Sequence, residues 1–338
     1  MKKYVLNVLL PNTNNAMNKA KSDVTKILEN KNFSAINIEL FKNKIEKLFL
    51  SRKKLAQFNL IQKDDVLIIQ YPTYLGRTFE NLLFKYLKKR EVKVIGLIHD
   101  IDTLRFISKE KKELEREFKV YKNFDAIVSS NYRMTKLIKK YKYDGPIVDL
   151  DIFDYLVVND KTNNNICSDK YIVNFAGNLD KSKFISGLHS NKIKYQLFGN
   201  LQSPSVLDKS VKYFGAFSPE DVPDQLINGF GLVWDGDTIE TNSGLLGEYE
   251  LYNNPHKLSL YLVSGLPVIV WKKAAIARFV INNNVGIVVD SLAELEDTLS
   301  QLSTADYQNL CINTKKVADK LRQGFYTQKA VEKAEADL

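Results

Sequence analysis

Cysteine occurs twice, as Cys167 and Cys311, too rarely for a disulfide framework and too far apart in sequence for a metal knuckle. That usage fits a reducing compartment, and a cytoplasmic location is expected. Three histidines, His99, His189 and His256, are too few for a His-rich centre, so no catalytic zinc is expected. No stretch approaches about 18 uncharged apolar residues, so no bilayer-spanning segment is expected. The start MKKYVLNVLLPN is basic, but Asn7 and Pro11 break its apolar run and no small-residue cleavage site follows. It reads as a first strand and not as a leader. No G-x-G-x-x-G follows a strand-like run and no G-x-x-x-x-G-K-[ST] occurs, which sets aside a dinucleotide fingerprint and a P-loop. No repeat of 20–50 residues is visible, which sets aside a solenoid.

What is present is ordinary in bulk and uneven in charge. The chain has 338 residues, 44% apolar and 26% charged, with a net charge of +9; this is a folded chain of about two domains. Residues 1–150 carry 31 Lys and Arg against 17 Asp and Glu, a net of +14, leaving −5 for residues 151–338. A basic half attracts phosphate on nucleic acid, lipid or substrate. Much of it, however, lies in FKYLKKR (84–90) and KEKKELEREFK (109–119), spaced as solvated helix faces. Nucleic-acid binding is the leading non-enzyme alternative. Against it, no RNP-like aromatic motif or zinc finger is present, and Phe84, Tyr86, Phe106 and Tyr121 fall at core spacings. An idle scaffold that binds a partner transferase is a third reading.

Short β-branched runs alternate with helix-period segments. In the first half they are YVLNVLL (4–10), AINIEL (35–40), DVLIIQY (65–71), VKVIGLIHD (92–100), DAIVSS (125–130) and PIVDLD (146–151). The second half has KYIVNFAG (170–177), KYQLFGN (194–200), VKYFGAF (211–217), GFGLVWDG (229–236), LPVIVW (266–271) and VGIVVD (285–290). This rhythm predicts an α/β chain with two doubly wound parallel sheets. The expected divisions are a first domain over 1–156, a polar Asn-rich linker over 157–169, a second domain over 170–303 and terminal helices over 304–338. Two such domains would face a cleft.

In open parallel sheets ligands bind beyond the carboxyl ends of the strands. The block YNNPHKLSLYLVSGLPVIVW (252–271) has Asn254 as an expected N-cap, Pro255 at the first helical position, and Leu258, Tyr261 and Leu262 as an apolar stripe. His256 and Lys257 then sit in the first turn, where the macrodipole disfavours a cation unless an anion is bound. Lys257 is read as half of an anion site, with simple solvent exposure as the alternative. Gly177 and Asn178 end a strand, with Lys181 and Lys183 following; a diphosphate contact and a plain turn stay equally open. The loop PNTNNAMNKAKSDV (11–24), with Thr13 and Asn15, suits hydroxyl recognition and is equally readable as a plain loop leading into a helix. His99 and Asp100 end a strand where a carboxylate would serve as base to an acceptor hydroxyl, or where Asp100 would cap the next helix. Asp235-Gly236-Asp237 has a D-x-D spacing, readable as a cation site or as a turn or polar contact.

The layout, with Asn-Pro-His-Lys-Leu-Ser (254–259) and Gly-Leu-Pro-Val-Ile-Val (265–270), resembles the GT-B glycosyltransferases. Within them it is similar to the bacterial glucosyltransferases that extend glycans on serine-rich repeat adhesins, and to the related β-1,6-galactofuranosyltransferases. Supporting matches are VLIIQYPTY (66–74), VIGLIHDIDTLRF (94–106), FAGNLDKSKF (175–184), GFGLVWDGD (229–237) and RQGFYTQKAV (322–331). The resemblance implies two Rossmann-like domains. It implies transfer of a hexosyl unit, glucose or N-acetylglucosamine first, from a UDP-sugar to a glycosylated protein acceptor. A lipid-linked glycan acceptor is the alternative. No cofactor and no metal are implied. Lys257, with Asn253, Asn254, His256, Leu258 and Ser259 around it, would hold the donor together with Gly177, Asn178 and Lys181. Lys181 stands where relatives carry Arg, so it lacks the planar fork of that residue. Thr13 would reach the nucleotide from the first domain, and Asn15, His99 and Asp100 would meet the acceptor. The tail is expected to pack back on the first domain and to support a homo-oligomer, with at most peripheral membrane contact.

Overall fold

The protein is described as a computed structural model covering residues 1–9, 16–107, 111–157, 168–202 and 207–338. It divides into two units. Unit 1 is Met1–Leu150 with Tyr326–Leu338, and unit 2 is Asp151–Phe325.

Unit 1 is built from β1 (Lys3–Leu9), α1 (Ala16–Glu29), β2 (Phe33–Glu39), α2 (Lys44–Ala56), β3 (Val66–Tyr71), α3 (Arg77–Lys89), β4 (Lys93–Ile98), α4 (Lys111–Tyr121), β5 (Ala126–Ser129), α5 (Tyr132–Lys140) and β6 (Ile147–Asp149). Its six strands form one parallel sheet in the order β2-β1-β3-β4-β5-β6. Unit 2 follows with β7 (Ile172–Ala176), β8 (Lys194–Phe198), β9 (Val211–Tyr213), α6 (Val222–Gln225), β10 (Phe230–Val233), α7 (Gly244–Tyr249), α8 (His256–Val263), β11 (Val268–Trp271), α9 (Ala277–Asn283), β12 (Gly286–Val289), α10 (Leu295–Gln301) and α11 (Thr304–Arg322). Its parallel sheet runs β12-β11-β10-β7-β8-β9. Ten of the twelve runs read from the sequence contain one of these strands whole, while β1 and β2 begin one and two residues before their runs. The reason is burial on both faces: β3 (VLIIQY) and β11 (VIVW) are buried along their whole length, as a sheet covered by helices on two sides demands.

The last helix, α12 (Phe325–Ala336), buries Tyr326, Ala330, Val331 and Ala334. Lys3 of β1 pairs with Glu335 at 2.8 Å and Lys31 with Glu332 at 3.8 Å, which ties the chain's end to unit 1. Residues 151–156, read from the sequence as part of the first domain, lie in unit 2. There the Asp151 carbonyl accepts a hydrogen bond from Asn254 and the Phe153 carbonyl one from Ser259. Cys311 is buried on α11, and Cys167 lies outside the described residues.

Candidate active site

The chain leaves β7 toward β8 and β9 on one side of the unit 2 sheet, and continues through β10, β11 and β12 on the other. The carboxyl ends of β7 and β10 are therefore the point where connections diverge and a crevice opens. Gly177 ends β7, Asp235 lies just beyond β10, and α8 packs against β10 through Tyr261. The amide of Ala176 donates to the Tyr261 phenol at 2.8 Å. Gly231 of β10 makes that fit possible: a Cβ there would lie 2.1 Å from the Tyr261 ring. Lys257 precedes Tyr261 by four residues and so lies on the same helix face.

The Lys257 ammonium donates to the Asp235 carboxylate and sits 4.5 Å from the centre of the Phe175 ring. A Cβ on Gly177 would stand 3.1 Å from Lys257 Cε, so the bare glycine makes room for the lysine stem. Gly199, at φ +140°, does the same for Gly177, whose carbonyl would meet a Cβ there at 1.8 Å. The Asp235 amide donates to Asn242 Oδ1 at 3.2 Å, and Asn242 Nδ2 donates to Glu250 Oε2 at 2.6 Å. Glu250 is wholly buried. Burial first, and the negative charge of Asp235 second, push its carboxyl well above the usual range, while Lys257 and Asn242 pull it down. Asp237, the other acid of the D-x-D, pairs with Lys183 at 3.3 Å. Each of those two aspartates thus has a lysine partner. Among the described residues no cluster of three or more His, Cys, Asp and Glu has the arrangement of a metal site.

Several donor-site expectations are revised. Pro255, not Asn254, is the cap residue of α8, and no side chain caps it. The Asn254 side chain instead donates to the Asp151 carbonyl at 2.9 Å, because residues 151–156 lie against this end of the helix. The Ser259 hydroxyl donates to the Phe153 carbonyl and Leu258 is buried, so both serve packing. His256 stacks on Tyr155 with ring centres 4.9 Å apart. Asn253 Oδ1 is shielded from solvent and accepts no hydrogen bond within the described residues. Asn178 caps the short turn Leu179–Lys181 by accepting from the Lys181 amide at 3.2 Å, and the Lys181 side chain is exposed.

In unit 1, Thr13 and Asn15 lie outside the described residues. His99 does not stand open to an acceptor. It is buried at the end of β4 and its Nε2 meets Gln70 Oε1 at 2.9 Å, while Gln70 Nε2 donates to Thr25 Oγ1 at 2.9 Å. Asp100 pairs with Arg105 at 2.5 Å. The acid of this loop whose carboxyl is raised is Asp102, which is hydrogen-bonded to Tyr74 and which the sequence alone did not single out. Glu117 of α4 accepts the amides of Asp102 and Thr103 at 3.0 and 2.9 Å and so fixes this loop. Asp102 Oδ1 is shielded and accepts no hydrogen bond within the described residues. Burial first, then the charges of Glu117 and Asp100, raise its carboxyl to about 6, against Arg105 and Lys21. Beside it stands Tyr74, held at φ +61°, a conformation a tyrosine adopts only under constraint. Lys21 lies 4.9 Å from the centre of the Tyr74 ring and donates to the Pro72 carbonyl; burial lowers its ammonium to about 8. A carboxylate poised near neutrality between a phenol and two cations is suited to take a proton.

The comparisons with known proteins agree with this architecture. The glucosyltransferase 3-like N-terminal domain model matches residues 2–152, and the glucosyltransferase 3-like C-terminal domain model matches residues 173–334. The chain is 34% identical over 344 residues to the β-1,6-galactofuranosyltransferase WbbI of Escherichia coli (strain K12), covering 99% of both. It is 26% identical to glucosyltransferase 3 of Streptococcus gordonii, covering 92% of both. Among solved structures, the lipopolysaccharide outer core galactosyltransferase WaaB matches with a TM-score of 0.63 at 12% identity, over 99% of this chain and 100% of that one. The Escherichia coli trehalose-6-phosphate structure with UDP-2-fluoro glucose matches at 0.61 and 10%, over 99% and 100%. Those two likenesses bear on the fold alone. Two six-stranded parallel units of this topology, matched by both domain models and by a full-length relative, make this chain a member of the glucosyltransferase 3-like family of GT-B glycosyltransferases.

Proposed function

We propose that the chain moves a hexosyl unit from a UDP-sugar to a hydroxyl of a glycan acceptor, with unit 2 holding the donor and unit 1 supplying the base. The observation that carries this reading is Lys257 in the first turn of α8, beside Gly177 at the divergence point of the unit 2 sheet and held by Asp235. When the bond between the sugar and the β-phosphate breaks, its electron pair leaves with UDP. An ammonium at a helix N-terminus stabilises that charge more in the transition state than in the ground state. Lys257 exchanges its carboxylate partner for the diphosphate, and Asp102 takes the acceptor proton as the new C–O bond forms. The base role thus moves from Asp100, which is engaged with Arg105, to Asp102.

The greater identity to WbbI favours a galactofuranosyl unit and a cell-surface glycan acceptor. Glucose or N-acetylglucosamine onto a GlcNAc-modified serine-rich repeat adhesin is the second reading, favoured by the two streptococcal relatives. Screening UDP-galactofuranose, UDP-glucose, UDP-GlcNAc and UDP-galactose against a lipid-linked disaccharide and a GlcNAc-modified peptide separates them. With the productive pair, Lys257→Ala lowers turnover about 100–1000-fold, roughly 2.7–4 kcal/mol, with an unchanged melting curve. Full turnover in that folded variant refutes the donor role of Lys257.

A further inference from the structure

Helix α2 faces the wrong way for a helix that folds by burying its own apolar stripe. Ile45, Leu48 and Phe49, at the i, i+3, i+4 spacing of one face, are 70%, 76% and 73% exposed. The opposite face turns lysines inward. Lys54 is buried, with its ammonium donating to the Glu39 carbonyl and standing 4.7 Å from the centre of the Phe41 ring; Lys47 stands 5.6 Å from the same ring. The helix is nonetheless well formed. Asn43 caps it by accepting from the Glu46 amide at 2.8 Å, and Glu46 accepts in return from the Lys42 amide at 2.5 Å. Beside the apolar stripe, Lys44, Arg52 and Lys53 are exposed, and along the whole helix five cations stand against the single acid Glu46.

An exposed stripe of large apolar side chains flanked by cations is the composition of a helix that lies in a membrane interface, apolar face among acyl chains and cations among anionic headgroups. We propose that α2 docks unit 1 on an anionic lipid surface. A second copy of this chain is the less suitable occupant, because a two-fold contact through this face brings together two identical surfaces that each carry five cations and a single acid. Among the described residues no helix is long and apolar enough to cross a bilayer, so docking through α2 is peripheral. This inference stands on α2 alone and does not depend on the donor or acceptor reading.

The test is co-flotation of the full chain with vesicles of phosphatidylcholine alone and with vesicles containing about one third phosphatidylglycerol. The chain is expected on the anionic vesicles and not on the neutral ones, with binding that weakens as salt rises. Leu48→Ser with Phe49→Ser is expected to weaken it about tenfold or more while leaving the melting curve intact, because both side chains are already exposed. Phe49→Trp is expected to show a blue-shifted emission on anionic vesicles only. Absence of vesicle binding, or binding that the double substitution leaves unchanged, overturns the proposal. So does a light-scattering mass that falls from dimer to monomer in the double variant, which would assign the face to a second copy. A UDP-induced rise in melting temperature, measured on the same variants, reports the donor site separately.

Discussion

Asp102 and Glu250 are two acids kept from their usual range for the same first reason, burial, yet their surroundings suit them to different tasks. Glu250 is wholly enclosed and bonded to Asn242, so it supports the loop that presents Asp235. Asp102 keeps partial contact with solvent and has Tyr74, Arg105 and Lys21 about it. Its folded value, about 6 against 3.8, fixes the sign of its effect on stability. The protonated group favours the folded state fully below pH 3.8, and that contribution is lost as pH rises through 6. Asp102→Asn is neutral at every pH. It is therefore expected to be more stable than the parent by about 1–2 kcal/mol at neutral pH, after allowance for solvent screening, and equal to it in acid. Denaturant melts at the two pH values check this. The same variant is expected to lose transfer about 100-fold or more while UDP still raises its melting temperature, since a lost base affects the acceptor step and not donor binding. A variant both stabilised and inactive separates a catalytic acid from a structural one.

At the scale of elements, the candidate donor site depends on how α8 is seated on the sheet. Tyr261 spans from α8 to the end of β7, and Gly231 of β10 is the hollow that admits its ring. Gly231→Ala places a methyl group where the ring stands and is expected to destabilise unit 2 by about 1–3 kcal/mol. Tyr261→Phe keeps the ring and leaves the Ala176 amide without its acceptor, a cost of about 1–3 kcal/mol. Both are read from denaturant melts. Because Lys257 shares a helix face with Tyr261, both variants should also bind UDP more weakly, whereas a surface change such as Lys209→Ala should not. Helix α2 is the counterexample among elements: it is capped by Asn43, turns Lys47 and Lys54 toward Phe41 and half-buries Leu50 and Leu55, while Ile45, Leu48 and Phe49 stay exposed.

For the whole molecule, unit 1 is discontinuous, completed by α12 from the far end of the chain. Ending the protein after Gly324 removes buried Tyr326 and Val331, each worth about 1.5–3 kcal/mol, and the Glu335 partner of Lys3. Unit 1 of the truncated chain is expected to melt on the order of ten degrees lower. Calorimetry with and without UDP shows which transition moves, because the nucleotide is expected to shift only the transition of unit 2.

The α/β class, the twelve strands and the place of Lys257 in the first turn of a helix were legible in the sequence, because they rest on local signals: β-branched runs bounded by polar turns, and an Asn-Pro before an apolar stripe. Tertiary structure alone decided that His99 is enclosed by Gln70 and that Asp100 is engaged by Arg105 while Asp102 is left near neutrality. It also decided that Asn254 serves residue 151 and not the helix, and that α2 shows its apolar face. Periodicity fixes which residues share a face of an element, but the burial and neighbouring charge that set a carboxyl's affinity for its proton come from residues distant in sequence. Those exist only once the sheets have assembled.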